Sequence, residues 1–276
     1  MAGVTDSPEV RRFNQGYIAP HPSIRKDAVD VDSFLQNHQV YTKDYLVSVT
    51  PSHHNPNKIY EALGWYWHVA VRTVVWLLTG IFAVGADGPT ESQLASRIQF
   101  FASAGQAVGA AGALANHLKS AVFARSDNGW VHTLLAEAEC LRAHMGTIVM
   151  VETPSFVTRI IFLGVQAQVF VQYFLVYLLA PGVAHAYSAY RAEEQLFNYS
   201  QAIRLIERGN FRKWRNTHAP DLARAYYALP AGSTFQDVLL RLRADEACIH
   251  HMNMVFAQLW PGSRNPFITM GSVGKQ

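Results

Sequence analysis

RADEACIHHMNM, residues Arg243 to Met254, carries one half of a metal-binding helix motif. A carboxylate-bridged diiron four-helix bundle takes one Glu from each of two helices and a Glu-x-x-His from each of the other two, because at i and i+3 the carboxylate and the imidazole share a helix face. Glu246 fills the first place here, but Ile249 stands three residues on, where the histidine belongs. A second stretch, AEAECLRAHM (136 to 145), has the opposite defect: His144 is present and Leu141 stands three residues before it. Each half-motif keeps one partner and carries an aliphatic residue in place of the other.

The flanking sequence reads as helices. Tyr66 to Val84 is a run of aromatic and aliphatic residues interrupted by Arg72 and ending at Gly85. Thr90-Glu91-Ser92-Gln93 is a capping box that opens a second helix reaching Phe123; its middle, Ala102 to Ala115, is dense in Gly and Ala, so neighbouring helices can approach closely. Trp130 to Val151 predicts a third helix. Pro154 starts a fourth, apolar from Ile160 to Ala180 apart from Gln166, Gln168 and Gln172, and stopped by Pro181. Tyr187 to Arg208 is the fifth, and Thr234 with Asp237 three residues on starts the sixth. The expectation is an all-α bundle over 59–262, an extended arm over 1–58 and a tail over 263–276. The arm contains Phe13, Tyr17, Phe34, Tyr41 and Tyr45, more aromatics than disordered tails carry, so it packs either on its own domain, on a second copy or on a different subunit.

Composition narrows the function classes. Half of the 276 residues are hydrophobic and 16% are charged, a balance between soluble and membrane proteins. A net charge of +3, with no basic run interleaved with aromatics, excludes a nucleic-acid binder. Cys140 and Cys248 give neither a zinc spacing nor a disulfide framework and read as buried free thiols. The opening MAGVTDSPEVRRF lacks the Arg-rich, acid-poor pattern of a transit peptide and has no apolar signal core.

From Tyr66 to Phe267 the chain resembles the mitochondrial alternative oxidases, especially the trypanosomal type. The resemblance rests on segments in the right order: TESQLASR (90 to 97), HLKS (117 to 120), GWVHTLLAEAE (129 to 139), Tyr190 to Tyr199, RADEA (243 to 247) and NPF (265 to 267). It implies a ferritin-like four-helix bundle with two additional membrane-binding helices, and an activity of diiron ubiquinol oxidation in one leaflet of the mitochondrial inner membrane. The membrane-binding helices correspond to 66–84 and 159–172, with Arg72, Arg159, Trp65, Trp67 and Trp76 as expected headgroup anchors.

Carried over position by position, the family's ligands fall on Ala102, Leu141, His144, Ala192, Glu246 and Ile249. Of these six, His144 and Glu246 keep a ligating residue; the carboxylates at 102, 141 and 192 and the histidine at 249 are gone. An oxygen-activating iron pair needs several anionic donors, so the chain reads as a pseudoenzyme with the diiron cofactor lost. Ala, Leu and Ile are replacements that repack a core once no metal neutralises clustered carboxylates.

Some of the family's quinol pocket survives as Arg97, Glu194 and Tyr199, while Phe101 and Asn198 replace its leucine and threonine. Retained quinone or lipid binding is one reading of this set; an interhelical ion pair with a core phenol is the other. A remnant mononuclear site of His144, Glu246 and His250 has the donor types for zinc or iron, but His250 is displaced by one residue from the inward position, about 100° around the helix. The expected function is a structural or accessory subunit of a mitochondrial respiratory complex or supercomplex. Expected partners are respiratory-chain subunits and membrane lipid, with a homodimer as a further assembly. The alternatives are a non-catalytic quinone or lipid binder and an oxidase with a rebuilt metal site.

Overall fold

A computed structural model describes residues 41–80, 88–260 and 262–267. Its helices are α1 (Lys43–Ser48), α2 (Ile59–Thr79), α3 (Glu91–Val122), α4 (Trp130–Val151), α5 (Phe156–Leu179), α6 (Pro181–Glu207), α7 (Arg212–Arg215), α8 (Asp221–Tyr227) and α9 (Phe235–Gln258). An isolated β bridge joins His218 and Thr234. The chain is all-α, as the sequence predicts.

Local chemistry sets most helix ends. Thr90 and Gln93 satisfy each other's backbone amides at the start of α3, and Thr234 and Asp237 do the same for α9. Ser155 caps α5 by accepting from the Thr158 amide. Helix α2 departs from expectation: it begins at Ile59 and ends where Gly80 takes up a left-handed conformation with φ 67°. The predicted end at Gly85 lies outside the described residues. Pro181 starts α6 rather than merely stopping α5, since at the first helical position its missing N–H has no intrahelical partner to lose. Helices α7 and α8 are too short to show a period and went unpredicted.

Helices α3, α4, α6 and α9 form the bundle, with α2 laid on α6 and α5 laid on α3. The small residues of α3 act as expected. A Cβ on Gly109 would stand 2.8 Å from the Leu134 carbonyl oxygen and 2.9 Å from the Ala138 nitrogen, so the α3–α4 contact runs backbone to backbone.

Helices α2 and α5 each leave an apolar row uncovered. On α2 it comprises Leu63, Tyr66, Val74, Leu77 and Leu78; on α5 it runs from Phe156 through Ile160 and Leu163 to Leu175 and Leu179. The exposed row of α5 therefore continues past Gln172, the expected limit of the membrane face. Gln166 meets Gln106 at 3.3 Å, while Gln168 and Gln172 are exposed. Of the expected anchors, Trp67 stacks on Tyr187 with ring centroids 4.1 Å apart, and Trp76 has the guanidinium groups of Arg72 and Arg97 over its ring at 4.1 and 4.3 Å.

Of the arm, residues 41–58 are described; Phe13, Tyr17 and Phe34 lie outside. The extended course is interrupted by α1, where Tyr41, Tyr45, Leu46 and Val49 are buried against Leu196 of α6 and Ala244 of α9. This part of the arm packs on its own domain.

Candidate functional site

All six positions matched to metal ligands are fully buried: Ala102 on α3, Leu141 and His144 on α4, Ala192 on α6, and Glu246 and Ile249 on α9. They meet in the middle of the bundle with a residue the sequence reading passed over. Arg191, also fully buried, directs Nη2 to 3.3 Å from Glu246 Oε2 and 4.0 Å from Glu137 Oε1. Burial alone would lower its pKa, but Glu246 and Glu137 reverse that and hold the guanidinium pKa above its usual value. A cation therefore sits among the carboxylates without any metal. Room for it comes from α3, where a Cβ on Gly105 would lie 2.8 Å from Arg191 Cζ and 2.7 Å from Leu141 Cδ1.

His144 stands between two acids. Its Nδ1 is 3.3 Å from Glu246 Oε1 and its Nε2 is 3.0 Å from Asp245 Oδ2. Burial works against its charge, yet Cys140, Tyr199 and Asp245 carry its pKa well above the ordinary imidazole value. Asp245 accepts from Tyr41 at 2.5 Å and from Tyr227 at 2.6 Å, while Cys140 Sγ lies 3.5 Å from His144 Nε2 and 3.6 Å from Asp245 Oδ2. Glu137 is pushed up to about 7 by burial, against the pull of Arg191 and the Asn253 amide.

The residues matched to the quinol pocket divide into two groups. Arg97, Glu194 and Asn198 line a cavity of about 650 Å³ between α2 and α6, together with Arg72, Trp76 and Arg204. Arg97 bonds Glu194 directly, and Arg72 Nε approaches the other Glu194 oxygen at 3.4 Å. Phe101 and Tyr199 do not line it. Phe101 packs with Val75, Phe100 and Phe162, and Tyr199 meets His144 edge to face inside the bundle. His68, on the cavity wall, lies 4.0 Å from Glu194, a distance that would suit an ion pair. Burial, reinforced by Arg72, Arg191 and Arg97, lowers its pKa to about 3, so the ring is neutral and the contact is not ionic.

The remnant set His144, Glu246 and His250 is not brought together. His144 and Glu246 are in contact, but His250 turns to the Ala189 carbonyl on α6, 2.9 Å away, as its one-residue offset dictates. Among the described residues, the His, Cys, Asp and Glu set close enough to share an ion is Cys140, His144 and Asp245. Sequence reasoning missed Arg191, Cys140 and Asp245 as parts of this centre. The available signals were an arginine beside Ala192 in an otherwise inward-facing run, and the four-residue spacing of Cys140 and His144.

The family model described as "Alternative oxidase" matches residues 41–258. The mitochondrial alternative oxidase of Aspergillus niger is 33% identical over 236 residues, covering 80% of this chain and 66% of that protein. The Emericella nidulans protein of the same name is 33% identical over 237 residues, covering 80% and 65%. The Trypanosoma brucei brucei alternative oxidase is 29% identical over 243 residues, covering 87% and 73%. The chain thus spans just under two thirds of the length of these two fungal relatives. With an all-α bundle in which the matched positions converge, it belongs to the alternative oxidase family.

Proposed function

We propose that this chain is a non-catalytic member of its family, acting as a structural or accessory subunit of a respiratory complex or supercomplex in the mitochondrial inner membrane. One observation carries the reading: the Arg191 guanidinium provides, 3.3 Å from Glu246, the positive charge that an iron pair provides in a carboxylate-bridged bundle. The donor set does not fit two irons. Positions 102, 141, 192 and 249 offer no ligand atom, and a fixed cation beside Glu246 repels another. The exposed apolar rows of α2 and α5 support a seat in one leaflet, and a membrane-seated bundle kept without its chemistry is suited to holding larger assemblies together.

The test has two parts. Purified chain should contain far less than the roughly two irons per site that such an oxidase requires, and should show no cyanide-insensitive quinol oxidation; activity with stoichiometric iron would overturn the non-catalytic reading. In mild detergent, tagged chain should migrate with a large respiratory assembly. Because Tyr41 to Val49 belong to the bundle, truncation should stop at residue 40. Migration alone, or only as a dimer, would remove the subunit assignment.

A second reading has its own observation. The cavity beside Arg97 and Glu194 is of a size that holds a small ligand, which favours a non-catalytic quinone or lipid binder if no assembly is found. Saturable binding of a quinone analogue, weakened by R97Q, would establish it.

A further inference from the structure

We propose that Cys140, His144 and Asp245 form a mononuclear zinc site, sharing only His144 with the positions matched to the diiron ligands and closed over by Tyr41 of the arm. Cys140 and His144 are four residues apart on α4 and so share one helix face. Asp245 comes from α9, across the bundle. The three donor atoms are separated by 3.5 Å (Sγ to Nε2), 3.6 Å (Sγ to Oδ2) and 3.0 Å (Nε2 to Oδ2). Tetrahedral zinc with its usual bond lengths to sulfur, nitrogen and oxygen spaces such donors roughly 3.3–3.6 Å apart. Two of the three distances fall in that range, and the third needs only a small opening. Thiolate, imidazole and carboxylate together form a donor set that zinc accepts readily and that magnesium or calcium does not.

The surroundings have the features of an outer shell. His144 Nδ1 and Glu246 Oε1 are fully buried and 3.3 Å apart, and neither makes a hydrogen bond. With metal on Nε2, the proton resides on Nδ1 beside Glu246, and a small turn of the ring would complete the carboxylate–histidine arrangement that fixes a ligating imidazole. Arg191 holds the other oxygen of Glu246, and Tyr41 donates to the Asp245 oxygen that is not turned to the ion. The Tyr227 hydroxyl donates to Oδ2 at 2.6 Å and steadies the ligating carboxylate, and the fourth position falls to one water. With all three side chains buried, the role is structural: the ion clamps α4 to α9, and binding displaces the proton on Cys140 Sγ and the one on His144 Nε2. Arg191 lies on the far side of Glu246, so a cation at this site does not compete with it.

The experiment is metal analysis of the full chain purified in mild detergent from zinc-replete cells, then cobalt exchange. About one zinc per chain is expected. Cys140→Ser and Asp245→Asn should each lose it, and Cys248→Ser should keep it. The cobalt form should show an intense thiolate-to-cobalt band that disappears in Cys140→Ser and persists in Cys248→Ser. Helical wild-type chain that holds no zinc after exposure to excess zinc would overturn the proposal, as would a band that follows Cys248. The wild-type measurement decides even if a variant does not fold. Iron at about two per chain would instead defeat the non-catalytic reading, so the two failures are distinguishable.

Discussion

The Arg191 guanidinium and the Glu246 carboxylate lie 3.3 Å apart, both fully buried, on facing helices of the bundle. Removing one member of such a pair leaves the other charge stranded. Arg191→Leu should destabilise the chain by about 3–5 kcal/mol in denaturant unfolding. Arg191→Leu combined with Glu246→Leu should recover much of that loss. A single variant as stable as wild type would show that the pair does not hold the core.

Gly105 makes the space that Arg191 fills. Gly105→Ala places a methyl 2.8 Å from the guanidinium carbon and should cost about 1–3 kcal/mol. In an Arg191→Leu background the same substitution should cost less, a coupling that a double-mutant cycle reads directly.

Restoring ligands by A102E, L141E, A192E and I249H should not restore an iron pair while Arg191 remains, because the guanidinium stands among the carboxylates. Adding Arg191→Leu should permit it. Iron per chain, measured on both versions, is the readout; stoichiometric iron with Arg191 intact would contradict the role given to this residue.

Glu137 predicts a pH dependence. Its folded-state pKa, about 7, lies above the unfolded value near 4.5, so the folded state binds more protons between those limits. Its contribution is fully present below about pH 4.5 and is lost as pH rises through about 7, a change on the order of 3 kcal/mol. Thermal melts across that window should fall more steeply for wild type than for Glu137→Gln. Parallel profiles would count against it.

Much of the fold was legible because its signals are local. Thr90 and Thr234 announce helix starts through their own side chains, and the Gly and Ala of α3 announce close contact. Pro181 was misread because one residue type serves both to stop a helix and to start one, and only the neighbouring structure decides. In the site, Leu141 and Ile249 could be seen as lost ligands by spacing, while Ala102 and Ala192 were implied by the family resemblance. Arg191 was harder to place, since it lies about 100° around α6 from Ala192, and only the burial of every face of that stretch, Ala184 to Leu196, puts it in the core. The grouping of Cys140 with Asp245 joins two helices more than 100 residues apart, which no periodicity reports.

Tyr41 closes on Asp245 across 204 residues of sequence. Its binding place does not exist until α9, the last helix, has been laid against the others. The earliest described part of the chain is therefore the latest to settle, and contacts of this span make assembly slow relative to the local helices.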